Sequence, residues 1–480
     1  MRLGAIIYTL GYGGITLALL MLLPLAQAIW IGSDVLARNF TIGLLLTAFV
    51  SGAMLLSGRS ARRFPAQEIE LVLIIVLFWA VLPWVASLPM TGALQVVGLT
   101  EAYFETVSAL TTTGGTVIKL PELEAAPILL WRSLLGWIGG LWTLVFAVSV
   151  LAPMELGGLS LTGSPLLQNA EKASLSQRLG RPMRVIGPIY IALTALGVIG
   201  IMASGGSLFD ALCMSLSAIS TTGFITHSQG IAAQFTPLAQ VFIATLTLIG
   251  ALSAPVLVIL GVGKKMRLLG QDSELRVLLI LIVVYAILSY AILQGVTTGT
   301  ALLQAISLFT TAGFNFLPGT SLQNWPVFWV MLPVLFGGMA FSTAGGVKMM
   351  RAIILTKGVS QEISKLAYPS SVQPMTLDGR RLEEPNFSAI WAYTSVFLAC
   401  LAGGILLLGL FGIGLEEGWP IILGALTNSL AITAGLDINA DLGAMSPYVQ
   451  YFLTLLMIAG RIEILILMML FTSSFWRFTR

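Results

Sequence analysis

Four stretches of similar text recur along the chain: Ser108-Ala109-Leu110-Thr111-Thr112-Thr113-Gly114-Gly115, Ser217-Ala218-Ile219-Ser220-Thr221-Thr222-Gly223-Phe224, Ser307-Leu308-Phe309-Thr310-Thr311-Ala312-Gly313-Phe314 and, more loosely, Ser429-Leu430-Ala431-Ile432-Thr433-Ala434-Gly435-Leu436. In each, a serine precedes the aligned glycine by six positions. An apolar stretch of about ten residues comes just before, too short to cross a bilayer and suited to a re-entrant half-helix. Longer apolar runs flank each copy, so every copy reads as spanning helix, short helix, Thr/Gly-rich loop, spanning helix. Irregular backbone at membrane depth is tolerated only where it is buried in protein or lines a water-filled path. Four such loops can surround one axis with pseudo-fourfold symmetry, their carbonyls replacing the hydration shell of a cation. Glycine suits these positions because, lacking a Cβ, it readily reaches the φ values that point successive carbonyls inward. The short helices would aim their partially negative C-terminal ends at the same axis. One copy alone would read as an ordinary turn; four in one topological slot do not.

Composition sets the class. Of 480 residues, 57% are apolar and 9% carry a formal charge, against about a quarter charged in soluble domains. Membrane-length apolar segments fall near 4–30, 40–57, 70–90, 128–152, 185–204, 237–262, 275–295, 326–350, 388–412 and 448–471. The runs are continuous and do not alternate, which excludes a β-barrel. The first exceeds a signal-peptide core of roughly 7–15 residues and lacks a small-x-small cleavage site, so it reads as a retained helix. The expectation is an all-α polytopic membrane protein: two N-terminal transmembrane helices, then four parallel helix–pore loop–helix repeats, with ten transmembrane helices and four re-entrant pore helices.

Charge is distributed unevenly. Short intervals such as Arg59-Ser60-Ala61-Arg62-Arg63 and Lys264-Lys265-Met266-Arg267 are basic. With these and both termini on one side, only Arg38 and Lys119 fall on the other, while Arg132 and Arg461 fall within helices. The positive-inside rule makes the basic side, and both termini, cytoplasmic. The external segments collect Asp34, Glu101, Glu105, Glu122, Glu124, Asp210, Glu416, Glu417, Asp437 and Asp441, an acidic balance that favours cations at the entrance or simply forms a solvated loop surface. Cys213 and Cys400 lie in apolar stretches without metal or disulfide spacing and read as small buried residues. The lone His227 reads as a surface residue.

The fourfold pattern resembles the Trk/Ktr/HKT superfamily of potassium transporters. Three further stretches are similar to its Trk branch: Trp131-Arg132-Ser133-Leu134-Leu135-Gly136-Trp137-Ile138-Gly139-Gly140, Phe341-Ser342-Thr343-Ala344-Gly345-Gly346-Val347-Lys348, and Gly460-Arg461-Ile462-Glu463 running on to Phe475-Trp476-Arg477. The two extra N-terminal helices also suit that branch. The organisation is then an N-terminal two-helix segment (1–60), pore repeat 1 (61–155), repeat 2 (183–265), repeat 3 (275–355), a cytoplasmic linker (356–387) and repeat 4 (388–480). The resemblance implies a selectivity filter holding K+ at Thr112, Thr113, Gly114, Thr221, Thr222, Gly223, Thr311, Ala312, Gly313, Thr433, Ala434 and Gly435. Glycine in all four repeats resembles the potassium-selective members; plant relatives with serine in the first repeat favour sodium. The fourth loop departs from the pattern, with Thr433-Ala434-Gly435-Leu436-Asp437 where an Asn-Thr-Gly-Pro type of sequence is expected.

The third repeat's second helix carries Gly337-Gly338 and then Ser342-Thr343-Ala344-Gly345-Gly346. Each glycine costs about 1 kcal/mol against alanine in a helix, so this density argues for an interruption, the alternative being close packing through small residues. With the resemblance, the interruption is a flexible loop below the filter that obstructs the pore and moves to open it. Arg461 lies in the last apolar run, where charge is rare and costly, roughly 2.5–3.5 kcal/mol on insertion scales. Glu463, two positions on, lies on another helix face and does not neutralise it. The resemblance places Arg461 beside the gating loop, where it would oppose cations and bond loop carbonyls. Arg132, near an external end, reads as a snorkelling or carbonyl-bonding arginine.

The function implied is potassium uptake across the bacterial inner membrane through a filter-lined, gated pore. The alternative is a secondary transporter of another cation, sodium- or proton-coupled, which predicts inverted repeats with midplane charges. An enzyme is not expected: one histidine and few membrane acids offer no catalytic constellation. The chain has no strand-borne G-x-G-x-x-G, so it binds no nucleotide itself; potassium is its substrate, no cofactor is bound by this chain, and nothing points to nucleic acid. The resemblance further implies membrane lipid around a homodimer with one pore per protomer, and a peripheral cytoplasmic TrkA-like subunit carrying the nucleotide-binding domains.

Overall fold

The computed structural model describes residues 3–470 apart from 62–63, 65–66, 97, 152–173, 264–265, 294, 320, 368–375, 378–379, 382–383 and 437–440. Arg62, Arg63, Lys264, Lys265, Asp437 and Phe475-Trp476-Arg477 therefore lie outside the described residues. The helices run in the order α1 (Leu3–Trp30), α2 (Asp34–Gly58), α3 (Glu68–Ser87), α4 (Leu99–Leu110), α5 (Ala126–Phe146), α6 (Leu175–Ala203), α7 (Leu208–Ile219), α8 (Ile231–Gln234), α9 (Pro237–Gly250), α10 (Ala254–Val262), α11 (Ser273–Ile292), α12 (Thr298–Phe309), α13 (Val327–Phe336), α14 (Met349–Ala367), α15 (Glu384–Leu410), α16 (Leu415–Leu426), α17 (Pro447–Arg461) and α18 (Ile464–Met469). Two two-residue strands, β1 (Thr376–Leu377) and β2 (Arg380–Arg381), pair antiparallel between α14 and α15.

Among the described residues, seven helices are long and apolar enough to cross a membrane, and α9 with α10 reaches the same length and composition only as a pair bent by 120°. The other expected spans are split. Helix α13 stops at Phe336 and helix resumes only at Met349; α17 stops at Arg461 and α18 starts at Ile464. Helix α14 runs across the expected boundary at 355/356 between repeat 3 and the linker. Leu45, Phe49, Leu196, Ile287 and Leu406 stand exposed on the long helices, an apolar exterior that water would not tolerate and lipid does.

Short and long helices pack in a repeating arrangement. Helix α4 lies against α3 and α5, α7 against α6 and α9, α12 against α11 and α13, and α16 against α15 and α17. The local sequence explains the elements. Ser207 Oγ accepts from Asp210 N (3.1 Å) and Thr297 Oγ1 from Thr300 N (3.2 Å), capping α7 and α12. The Glu101 carboxylate accepts from Gly98 N (2.8 Å) at the start of α4, satisfying an amide that the helix itself leaves free. The long partner helices α5, α9 and α17 each carry proline in their first turn, Pro127, Pro237 and Pro447, and Pro326 caps α13; proline is tolerated there because those N–H groups have no intrahelical acceptor.

The partner helices approach the short-helix ends through glycine. A Cβ added at Gly139, Gly250 or Gly460 would overlap the carbonyl of Leu110, Ile219 or Leu426, the last residue of α4, α7 or α16 respectively. Backbone cannot rotate away as a side chain can. Replacing any of these three glycines by alanine should therefore lower the thermal midpoint in detergent by several degrees, since overpacking typically costs about 1–3 kcal/mol. Gly52→Ala on α2, where an added Cβ meets nothing within 4 Å, should leave the midpoint unchanged or raise it.

Candidate ion pathway

Each of the four short helices is twelve residues long and ends in a loop that reverses the chain. The second residue after each helix is left-handed: Thr112 (φ 55°), Thr221 (φ 54°), Thr311 (φ 58°) and Asn428 (φ 50°). Such values are uncommon outside glycine, and for a β-branched threonine they cost energy that the surroundings must offset. The third residue then donates its amide five residues back: Thr113 N to Ser108 O (2.8 Å), Thr222 N to Ser217 O (3.0 Å), Ala312 N to Ser307 O (3.1 Å) and Ser429 N to Gly424 O (2.8 Å). Hydroxyls lock three of the turns at 2.7 Å, Thr111 to Thr113, Ser220 to Thr222 and Thr427 to Ser429.

These matches set the fourth register differently from the sequence reading. Thr433, Ala434 and Gly435 stand beyond the turn, in a 3-10 helix spanning Leu430–Gly435, and Thr427, Asn428 and Ser429 occupy the place of Thr111–Thr113. The reason is the length of α16: like its three counterparts it closes after twelve residues, at Leu426. The acidic first turn of that helix, Glu416-Glu417, together with the common length was the signal that could have located the turn.

The four loops meet in one ring. A Cβ at Gly114 would overlap Thr222 O, and one at Gly223 would overlap Ala312 O. One at Gly313 would lie 2.7 Å from Ile432 N, and Ala431 N donates to Thr113 O (3.1 Å), closing the circle. Asn428 Nδ2 spans the same joint, donating to Thr113 Oγ1 (3.0 Å) and to Met457 O (2.8 Å). Gly114, Gly223 and Gly313 have φ of 72°, 86° and 75°, values that, with the crowding just described, leave no room for a side chain.

Residues 337–348 form the non-helical break between α13 and α14 and run directly against this ring. Thr112 Oγ1 donates to Thr343 O (3.4 Å), Thr221 Oγ1 to Thr343 Oγ1 (3.3 Å), Gly345 N to Thr311 Oγ1 (2.7 Å), and Gly346 N to Thr427 O (3.0 Å). The segment thus touches all four loops. Gly337 (φ 70°) and Gly346 (φ 85°) take left-handed turns, and Gly345 packs so closely on Thr427 O that a Cβ would overlap it. Ser342 and Ala344 are buried with it, and Gly338 O accepts from Met349 N (3.1 Å).

Charged groups hold the break in place. Arg461 Nη1 donates to Thr343 O (2.8 Å) and its Nε to Thr143 Oγ1 (2.7 Å). Glu463 does not pair with Arg461; it pairs with Arg351 at 2.5 Å, whose guanidinium lies 3.8 Å over the Tyr393 ring. Glu274, at the start of α11, accepts from both Ala340 N (2.7 Å) and Met350 N (2.9 Å), clamping the two ends of the break with one oxygen. Lys348 Nζ donates to Ala344 O. The sequence reading did not single out Glu274 or Arg351, because Ala340, Met350 and Glu463, the partners that give them these places, are remote in the chain.

Behind the ring, Arg132 Nη2 donates to Ile225 O (2.5 Å) and Nη1 to Glu105 Oε1 (3.5 Å). Glu105 also accepts from Val117 N (2.9 Å) and Thr116 Oγ1 (2.8 Å). Both side chains are almost wholly buried, so Glu105 is not one of the entrance carboxylates; it ties the first loop to α5 and, through Arg132, to the second. Outside, Glu122 accepts from Ser228 N (2.9 Å) and Oγ (2.5 Å), and those hydrogen bonds hold its carboxyl below the usual range. Among the described residues, no group of three or more His, Cys, Asp or Glu is placed to hold a metal ion.

The comparisons agree with this architecture. Residues 36–477 match the family model of the cation transport protein TrkH. The chain is 30% identical over 461 residues to the Trk system potassium uptake protein TrkH of Halomonas elongata, covering 93% of each. It is equally similar to the Escherichia coli protein of that name, over 92% of this chain and 93% of the relative. The crystal structure of the potassium transporter TrkH from Vibrio parahaemolyticus superposes with a TM-score of 0.86 at 25% identity, covering 99% of this chain and 100% of that one. A polytopic helical chain whose interrupted helix closes on a ring of four loops, matched from end to end in this way, belongs to the TrkH family of cation transport proteins.

Proposed function

We propose that this chain is the membrane subunit of a Trk-type system and takes up potassium across the bacterial inner membrane through one gated pore. The observation that carries the reading is the ring of four left-handed loops with residues 337–348 bonded beneath every one of them. The curated relatives are named as potassium uptake proteins, and each protomer contributes all four loops, so the pore needs no second chain to be complete.

In this reading the four helix–pore loop–helix repeats surround the pore, and Thr112–Gly114, Thr221–Gly223 and Thr311–Gly313 line the filter with Thr427–Ser429 from the fourth. Their carbonyls substitute for water around a dehydrated cation, and the C-terminal ends of α4, α7, α12 and α16 add partial negative charge. Gly337, Gly338, Ser342, Thr343, Ala344, Gly345, Gly346 and Arg461 form the gate. Its closed state is held by hydrogen bonds to the loops and by the guanidinium of Arg461, whose positive charge also repels a cation arriving at that level. Homodimer formation, a peripheral TrkA-like nucleotide-binding subunit on the basic face and cytoplasmic termini belong to the same reading, the orientation resting on the positive-inside rule.

Two expected outcomes test it. Gly223→Asp, placing a side chain against Ala312 O in the ring, should abolish rubidium uptake into liposomes carrying the purified protein while its size-exclusion profile stays that of the parent. Uptake that survives the substitution moves the pathway elsewhere and favours a secondary transporter. Arg461→Gln removes the charged donor to Thr343 O; such a bond is worth about 1.5–3 kcal/mol, so the open fraction should rise by roughly one to two orders of magnitude if the gate starts mostly closed. An unchanged or lower rubidium flux in that variant would remove Arg461 from the gate.

A further inference from the structure

The fourth loop does not end like the other three. After their left-handed threonines, loops 1 to 3 continue through Gly114, Gly223 and Gly313 at positive φ and run outward without helical structure. At the matching position the fourth loop carries Leu430, and the chain turns at once into the 3-10 helix Leu430–Gly435. Leucine does not readily take the left-handed conformation that glycine takes here. Its side chain is instead buried between the end of α16 and the first loop, where a Cβ on Gly424 would lie 3.1 Å from Leu430 Cδ1 and one on Gly115 would overlap its Cδ2. That anchor delivers the next residue, Ala431, to the centre of the ring. Its methyl group would lie 2.7, 2.6 and 2.8 Å from a Cβ built on Gly114, Gly223 and Gly313, one glycine from each of the other loops. A point this close to three loops that surround a common axis is on or beside that axis. Ala431 N also donates to Thr113 O (3.1 Å), occupying an acceptor that an ion would otherwise use.

We propose that Ala431, held by Leu430, caps the outer end of the filter and is a rate- and specificity-determining residue of the ion pathway. The proposal rests on the filter reading above. At the glycine level the ring offers an ion three open loops and one methyl group in place of four equivalent backbones. An ion passes only when Ala431 withdraws from the axis and its amide releases Thr113 O. Because cation discrimination depends on the number and strength of coordinating carbonyls, a three-sided outer level also lowers the preference for potassium over sodium relative to a four-glycine ring.

The test measures rubidium uptake, with sodium as competitor, in liposomes carrying the full chain in an Arg461→Gln background, so that the inner gate does not limit the rate. Ala431→Gly removes the methyl group without adding volume and should raise uptake severalfold. Ala431→Val enlarges the cap and should lower uptake severalfold in a protein whose size-exclusion profile stays that of the parent. Leu430→Gly restores the residue type of the other loops and should weaken competition by sodium. Equal uptake in the Gly and Val variants, or sodium competition untouched by Leu430→Gly, overturns the cap. Gly223→Asp in the same background separates the two levels of inference. If it abolishes uptake while the Ala431 variants change nothing, the filter stands and the cap falls; if it leaves uptake intact, the filter reading itself has failed.

Discussion

Backbone that leaves a helix inside a bilayer has no water to bond, and the centre of this protein is organised around that constraint. Four short helices end in the buried centre of the chain, each exposing carbonyl groups that would be costly if orphaned. The chain answers locally first: each loop folds back so that its amides bond the helix it has just left, and hydroxyl pairs such as Thr111–Thr113 and Thr427–Ser429 complete the turn. What the local turns cannot satisfy is supplied from elsewhere. The broken segment 337–348 brings Gly345 N and Gly346 N to the loops and the Thr343 hydroxyl to Ile219 O at the end of α7, so one irregular stretch satisfies another. Each loop's conformation therefore depends on its neighbours.

The same economy explains the buried charges. A lone guanidinium or carboxylate at this depth would be expensive, yet Arg132, Arg351 and Arg461 are all buried. Each has at least one acceptor, Ile225 O and Glu105 for Arg132, Glu463 for Arg351 and Thr343 O for Arg461, although Arg132 Nε and Arg461 Nη2 are buried without one among the described residues. These contacts join segments far apart in sequence and fix the ring and the break relative to the helices that carry them. Glu274 has a similar part, since one of its oxygens receives amides from both ends of the interruption. If residues 337–348 move, the bonds to Thr343 O and to the four loops are those that must break, whereas the clamp on Ala340 and Met350 ties the segment to the start of α11.

Much of this was legible in the chain. A deficit of charge and long continuous apolar runs leave only a helical membrane protein, whatever the tertiary arrangement, because lipid demands it. Three of the four loops were readable because threonine and glycine at fixed spacing after a short apolar helix constrain the backbone locally. The glycine density at 337–346 and the isolated Arg461 likewise marked the break and its holder, since the cost of glycine in a helix and of charge in a bilayer are properties of the residues themselves.

Tertiary structure alone decided the rest. Text similarity aligned Gly435 with Gly114, but α16 ends at Leu426 and leaves Thr427–Ser429 in the turn; where a helix stops depends on what its last carbonyls meet, here Gly460 packed on Leu426 O. Glu105 read as one of the external acids, at an entrance or on a solvated loop surface, and is instead buried against Arg132, because the identity of a carboxylate's neighbours is not encoded by its own position. Glu274 drew no notice in the sequence, and its role rests on two amides sixty-six and seventy-six residues away. Residue chemistry and local spacing determined that this chain builds a helical membrane protein with interrupted spans, while contacts between distant segments determined which atoms meet at its centre.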